Sequence, residues 1–232
     1  MPTVSPQLIF EAFGAESERL AGVADGTDDA GFARPSPCVP WTAADLLFHV
    51  RMAMGRLQVM LAEPEPDGAD LVPAAGYYRA DQRFSEAVND DRIDSARRGA
   101  AALPGAAARA RDFRQARDLA WSLVQSASPG RVVRTRHGDR MLLSEFMRTR
   151  VLELAVHGLD LAAALDREPW MTGPAAQVTE ELLLPAPAAA QLRADTGWSR
   201  VTLIAKLTGR APATAAETSR IQGLGAQRLA LG

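Results

Sequence analysis

Apolar positions recur along most of this chain at helical spacing. Leu8, Ile9, Phe13, Leu20 and Val23 predict a helix over Gln7–Val23. Ala24–Pro40 is rich in Gly, Asp and Pro and reads as a loop. A sharper signal starts at Thr42. Thr42 and Asp45 form a T-x-x-D capping pattern, in which two side chains satisfy the orphan N–H groups of a helix start. Leu46, Leu47, Val50, Met54, Leu57 and Met60 then give a broad apolar face, until Pro64 and Pro66 stop it. Further helices are predicted over Tyr78–Ala102, and over Ala106–Ala127 with Phe113, Leu119, Trp121 and Leu123. Pro104-Gly105 and Pro129-Gly130 punctuate them.

Arg131–Leu143 breaks the helical period. Val132-Val133, the turn residues His137-Gly138-Asp139, and Met141–Leu143 predict a short hairpin. Another strong helix opens at Ser144 and runs through Met147, Leu152, Val156, Leu159, Leu161 and Leu165 to Pro169. Beyond that the pattern weakens. Ala175–Leu184 reads as a helix, and Val201–Leu207 as strand or helix. The expectation is a mainly α protein. Residues 1–169 form a helical bundle with a hairpin, and 170–232 form a C-terminal extension, helical or small α/β.

Composition narrows the function classes. The 232 residues carry a formal net charge of −2, which supplies no basic field for nucleic acid or an anionic membrane. Lys206 is the only lysine among 26 basic residues, a bias of GC-rich genomes rather than the mark of a site. Cys38 is the only cysteine, so an intrachain disulfide and CxxC sites are excluded. No run approaches the ~18 apolar residues of a membrane span. The N-terminus lacks the basic and apolar regions of a signal peptide, so the expected compartment is the cytoplasm. Gly223 to Gly225 follows no clear strand and is not a dinucleotide loop.

Glu153 and His157 carry the first chemical signal. Four residues apart on a predicted helix, they lie on one face, where a carboxylate and an imidazole can share one metal ion. The plainer reading is a helix-stabilising pair. His49 adds to the case, because it lies mid-helix at or near an inward face. Bundles build metal sites from polar side chains on facing helices. Two histidines and one carboxylate leave an open position, as in catalytic zinc sites, and the set also suits nickel, iron or manganese.

The segment Pro37-Cys38-Val39-Pro40-Trp41-Thr42-Ala43-Ala44-Asp45-Leu46-Leu47-Phe48-His49 resembles the "PCPGWTVRDLLAH" signature of the mycothiol-dependent maleylpyruvate isomerase family. Arg150-Val151-Leu152-Glu153-Leu154-Ala155-Val156-His157-Gly158-Leu159-Asp160-Leu161-Ala162 is similar to that family's "RxxExxVHGWDLA" motif. Val39-Pro40 stands where Pro-Gly is usual, and Leu159 where Trp is usual. The resemblance covers about residues 6–168. It implies a DinB-like, up-down-down-up four-helix bundle and a metal triad of His49, Glu153 and His157. It further implies a low-molecular-weight thiol cosubstrate, mycothiol first, delivered to a divalent metal, zinc first. The thiol would then be added to a small electrophile, exchanged, or used to isomerise a double bond.

Other residues have two readings each. Arg150, two turns before His157, either holds an anionic group of substrate or thiol or forms a surface salt bridge. Asp160, three after His157, is either an outer partner of the imidazole and catalytic residue or a helix-end charge. Trp41 is either a cofactor platform or an apolar plug. Cys38 is a packed small hydrophobe or a reactive thiol. His137, in a turn, is expected to be solvated. The primary expectation is a metal-dependent thiol transferase or isomerase, acting as monomer or homodimer on a small molecule. The alternatives are a hydrolase with metal-activated water and Asp160 as base, or a non-catalytic metal- or ligand-binding protein.

Overall fold

The computed structural model describes residues 4–227 and 229. The first three residues of the N-terminal segment read for a leader lie outside them. Eleven α-helices and one two-stranded sheet occur among the described residues.

Four long helices make the bundle: α1 (Pro6–Asp25), α3 (Ala43–Ala62), α6 (Ala106–Ser126) and α7 (Leu143–Ala164). Each of α1 and α3 packs on both α6 and α7, so α1 and α3 face each other across one diagonal. Helix α3 starts as its sequence dictates. Thr42 Oγ1 accepts from Asp45 N at 3.3 Å, and Asp45 Oδ2 accepts from Thr42 N at 2.9 Å. The cis Val39–Pro40 peptide lies in the turn just ahead of that cap. Helix α7 is the central element. Leu143, Phe146, Met147, Val151, Leu152 and Leu154 are all buried.

Two segments depart from the sequence expectation. The segment expected to be a loop, Ala24–Pro40, contains a one-turn helix, α2 (Asp29–Phe32), capped by Asp28 and burying Phe32. Asp29 then accepts from Ala106 N at 2.6 Å, capping the start of α6 from outside. The expected helix Tyr78–Ala102 starts later, as α5 (Glu86–Ala101), preceded by a 3₁₀ turn (Gln82–Phe84) and, before the expected start, by a one-turn helix, α4 (Ala74–Tyr77). Asp81 takes the Arg83 N–H at 3.0 Å, a local side-chain cap that competes with a continuous helix, and Ser85 in extended backbone opens α5. Helix α5 has a weak apolar face, burying only Ala96 and Ala100.

The hairpin forms as expected from β1 (Val132–Arg134) and β2 (Arg140–Leu142), with Val133 opposite Met141. Gly138 turns it with φ of 83°, a conformation costly for a side-chain-bearing residue. Beyond residue 170 the chain is helical: α8 (Gly173–Leu183), α9 (Ala186–Thr196), α10 (Arg200–Leu207) and α11 (Ala215–Gly223). Val201–Leu207 is thus helix, capped by Ser199. Helix α8 packs on α1 and α7 and joins the bundle core. Leu184, Ala189, Leu192, Leu203 and Ile221 make a second, small core. No helix among the described residues is long and apolar enough to cross a membrane.

Candidate metal centre

Helices α3 and α7 are neighbours, and they bring His49, Glu153 and His157 together. Glu153 Oε2 stands 3.7 Å from His49 Nε2 and 3.4 Å from His157 Nε2. One ligand atom from each residue lies within 4.8 Å of the others. Two ligand atoms at about 2.1 Å from one ion, at the tetrahedral angle, stand about 3.4 Å apart. The spacing is therefore longer than a good hydrogen bond and close to that of a shared ion. His49 Nδ1 is buried without a partner, so no bond within the protein accounts for the ring's placement. The donor set and its geometry fit a divalent metal.

Each ligand is held from behind. Trp41 is buried with its ring centroid 4.7 Å from that of His49, and its Nε1 donates to the Ile93 carbonyl at 3.4 Å. The Tyr78 hydroxyl lies 2.9 Å from the Thr149 carbonyl and 3.1 Å from Glu153 Oε1, so its proton is shared between two acceptors. Asp160 Oδ2 stands 3.0 Å from His157 Nδ1. With the proton on Nδ1, Nε2 is left free as a ligand atom. Asp160 is buried, which disposes of a helix-end surface charge. It also receives Cys38 Sγ at 3.2 Å, and Arg210 Nε and Nη2 at 3.1 and 3.2 Å.

The electrostatics follow the contacts. Burial pushes the Glu153 carboxyl up, but the neighbouring His157 and His49 rings and the charge of Arg150 hold it well below the usual range. Burial likewise opposes ionisation of Asp160, and His157 and Arg210 overcome it, bringing it to about 2. Burial lowers His49 to about 4. His157 moves the other way: burial lowers it, but Asp160, Cys38 and Glu153 raise it well above its ordinary value. Both carboxylates are therefore ionised at neutral pH.

Beside the trio lies a cavity of about 140 Å³. His49 and Glu153 line it, together with Tyr77, Tyr78, Asp91, Ser95 and His137. Four arginines also reach it: Arg56, Arg92, Arg136 and Arg150. Burial, and after it the charge of Arg136, lower both Arg56 and Arg92. Arg150 is buried rather than in a surface salt bridge. Its guanidinium lies 4.7 Å from the Phe146 ring centre and 5.2 Å from that of Tyr77. Nε donates to Thr149 Oγ1 at 3.1 Å and Nη1 to the Ala53 carbonyl at 3.4 Å, while Nη2 is buried and unpartnered.

The structure thus gathers Arg150, Trp41 and Asp160 around the trio, but only Arg150 reaches the cavity. His137 is half-buried in the cavity wall, not solvated, because the hairpin folds back against Tyr77 at 5.3 Å between ring centres. Burial and Arg136 lower it to about 4. Tyr78, Arg56, Arg92, Arg136 and Arg210 were not foreseen as site residues. The phenol at the break after α4 was the one local signal, since a buried Tyr hydroxyl needs a partner.

Residues 13–162 match the family model described as the mycothiol maleylpyruvate isomerase N-terminal domain. No curated protein matches the chain. Among solved structures, the fold is similar to a mycothiol-dependent maleylpyruvate isomerase, with a TM-score of 0.51 and 14% identity over 76% of this chain and 68% of that one. A histidine-to-alanine mutant of such an isomerase gives a TM-score of 0.50 at 13% identity, over the same shares of the two chains. The likeness at this identity is one of fold, and the matched segment contains both motifs and all three candidate ligands; the chain belongs to the mycothiol-dependent maleylpyruvate isomerase family.

Proposed function

We propose that this chain is a metal-dependent thiol transferase or isomerase that brings mycothiol, or another low-molecular-weight thiol, to a small anionic electrophile. The observation that carries the reading is the juxtaposition of an ion-sized gap among His49, Glu153 and His157 with a cavity lined by four arginines. His49 Nε2, Glu153 Oε2 and His157 Nε2 would hold the ion, zinc first. A divalent ion bound there supplies the Lewis acidity that deprotonates a thiol at neutral pH. The protein does the rest by placement. Tyr78 fixes the Glu153 carboxylate, Asp160 fixes His157, and Trp41 packs against His49. Arg150 offers Nη2 to a carboxylate of substrate or thiol, in a setting where charge-assisted bonds are strong. Asp160 does not line the cavity and is taken up by three partners, which does not favour the hydrolytic reading with this residue as base.

The test is metal content by mass spectrometry of the purified protein, beside His49→Ala and Glu153→Ala. The expected result is about one divalent ion per wild-type chain and none in either variant, as three-ligand sites require. Turnover of maleylpyruvate and related small carboxylates with mycothiol then follows. Wild-type protein that stays metal-free after reloading with zinc, nickel and manganese would overturn the reading.

A further inference from the structure

Asp160 is the last residue of the family motif that touches the site, and one of its partners, Arg210, comes from outside the matched segment. After α10, the chain turns at Gly209, whose φ of 75° suits a residue without a side chain. Arg210 N donates to the Ala205 carbonyl at 2.7 Å, closing the turn. The guanidinium then spans the turn and the site. Nη1 donates to the Thr208 carbonyl at 2.7 Å, while Nε and Nη2 grip the two oxygens of Asp160 at 3.1 and 3.2 Å. Such a fork fixes the plane of a carboxylate, which a single point charge does not.

That plane matters because Asp160 Oδ2 also meets His157 Nδ1. A carboxylate free to rotate would let the imidazole turn and let the proton choose either nitrogen. The support behind Arg210 is rigid. Helix α10 packs on α8, α8 packs on α1 and α7, and Ile204 is buried in the bundle core. A continuous chain of packed groups therefore runs from the C-terminal helices to the ring that faces Glu153.

We infer that Arg210 is a positioning residue of the metal centre: by fixing the Asp160 carboxylate it holds His157 with Nε2 aimed at the ion, so the C-terminal region completes a site whose ligands all lie in the bundle. The inference rests on the metal reading above. The plainer role, a staple between the C-terminal helices and the bundle, predicts a loss of stability and nothing more.

Zinc affinity separates the two roles, measured on the full-length protein by competition with a chromophoric chelator. Arg210→Met is expected to weaken zinc binding by about 10–100-fold, the range for partners behind a metal ligand. Arg200→Met is the control. It breaks an ion pair of the same region, Arg200 Nε to Glu180 Oε1 at 2.9 Å, whose partner is Glu180 rather than Asp160. Its zinc affinity should stay within about twofold of wild type. Asp160→Asn should weaken binding as Arg210→Met does, and the double variant should lose no more than about twofold beyond Asp160→Asn alone, as expected of groups acting in series. If circular dichroism shows Arg210→Met unfolded, Arg210→Lys is read in its place, because it keeps the charge but not the fork. A folded Arg210 variant that binds zinc like wild type, or an equal loss in Arg200→Met, would overturn the inference and leave the metal reading standing. Wild-type protein that binds no zinc would overturn both.

Discussion

Two glutamates of this bundle, one fully buried and one half-buried beside the cavity, sit in opposite surroundings. Glu16, on α1, is fully buried; Thr172 N donates to its Oε2 at 2.8 Å, and its Oε1 has no partner. Burial raises its pKa, and the contacts with Thr172 and the charge of Arg19 recover only part of the cost. Glu153, on α7, is partly enclosed, yet His157, His49 and Arg150 hold it ionised. Burial by itself makes a carboxyl neutral. A buried carboxylate that stays charged has cationic or donor groups placed around it, and here two of those groups are imidazoles aimed at the same oxygen. Glu16 is a cost to the fold that packing offsets. On the proposed function, Glu153 is a ligand prepared in advance.

The sharpest way to break that contrast is Glu153→Gln. The amide keeps the volume and the contact to Tyr78 but loses the charge. Zinc affinity should fall by more than the ~10–100-fold typical of an outer partner, because a ligand atom itself is lost. Chelator competition on folded protein measures it, and a variant that binds as tightly as wild type would remove Glu153 from the site. The next effect is at Arg150. Arg150→Met removes the unpartnered Nη2 together with the rest of the guanidinium, which lies over Phe146 and Tyr77. Losing one charge-assisted hydrogen bond of about 1.5–3 kcal/mol should raise KM for an anionic electrophile by about 10–100-fold, with kcat less affected. Steady-state kinetics check this, and an unchanged KM would assign Arg150 to the fold alone.

How much of this was legible follows from where each residue sits. His49, Glu153 and His157 lie on two long helices, where period and spacing carry over directly into neighbouring side chains. Asp160 could be read as far as a choice between two roles, and its burial decided between them. Tyr78 and Arg136 lie beside short elements, and Arg92 lies on α5, which buries only Ala96 and Ala100, so no strong apolar stripe says which way they face. Arg210 reaches Asp160 across 50 positions through a turn after α10, a purely tertiary contact. The composition also hid the cavity. In a chain where arginine replaces lysine almost everywhere, four converging arginines do not stand out until the fold brings them together.

A smaller effect concerns the wall of the cavity rather than the ligands. A Cβ built on Gly99 of α5 would come within 1.9 Å of the Phe48 ring on α3, so the two helices meet closely there. Gly99→Ala should cost about 1–3 kcal/mol by overpacking. Helix α5 also carries Asp91, Arg92 and Ser95 of the cavity lining, whereas the trio sits on α3 and α7. Urea unfolding should therefore show the loss while zinc stoichiometry holds. A loss of zinc along with stability would mean that the ligands depend on the α5 wall.

The smallest effect is at Glu16, and its sign tests the opening contrast. Its folded pKa is raised above the value of 4.5 expected when unfolded, so the folded state binds the proton more tightly. That contribution to stability is fully present below the unfolded pKa and is lost as pH rises through the folded one. Glu16→Gln keeps an acceptor for Thr172 N and cannot ionise. It should gain on wild type in Tm as pH rises from 4 to 7.5. At pH 4 the difference should shrink, since wild type is then protonated in both states. Thermal unfolding at pH 4 and 7.5 reads this directly. A gain equal at both pH values would show that the side chain's shape, not its charge, is at issue. A loss confined to pH 7.5 would mean that the Glu16 carboxylate, like that of Glu153, is held charged by partners.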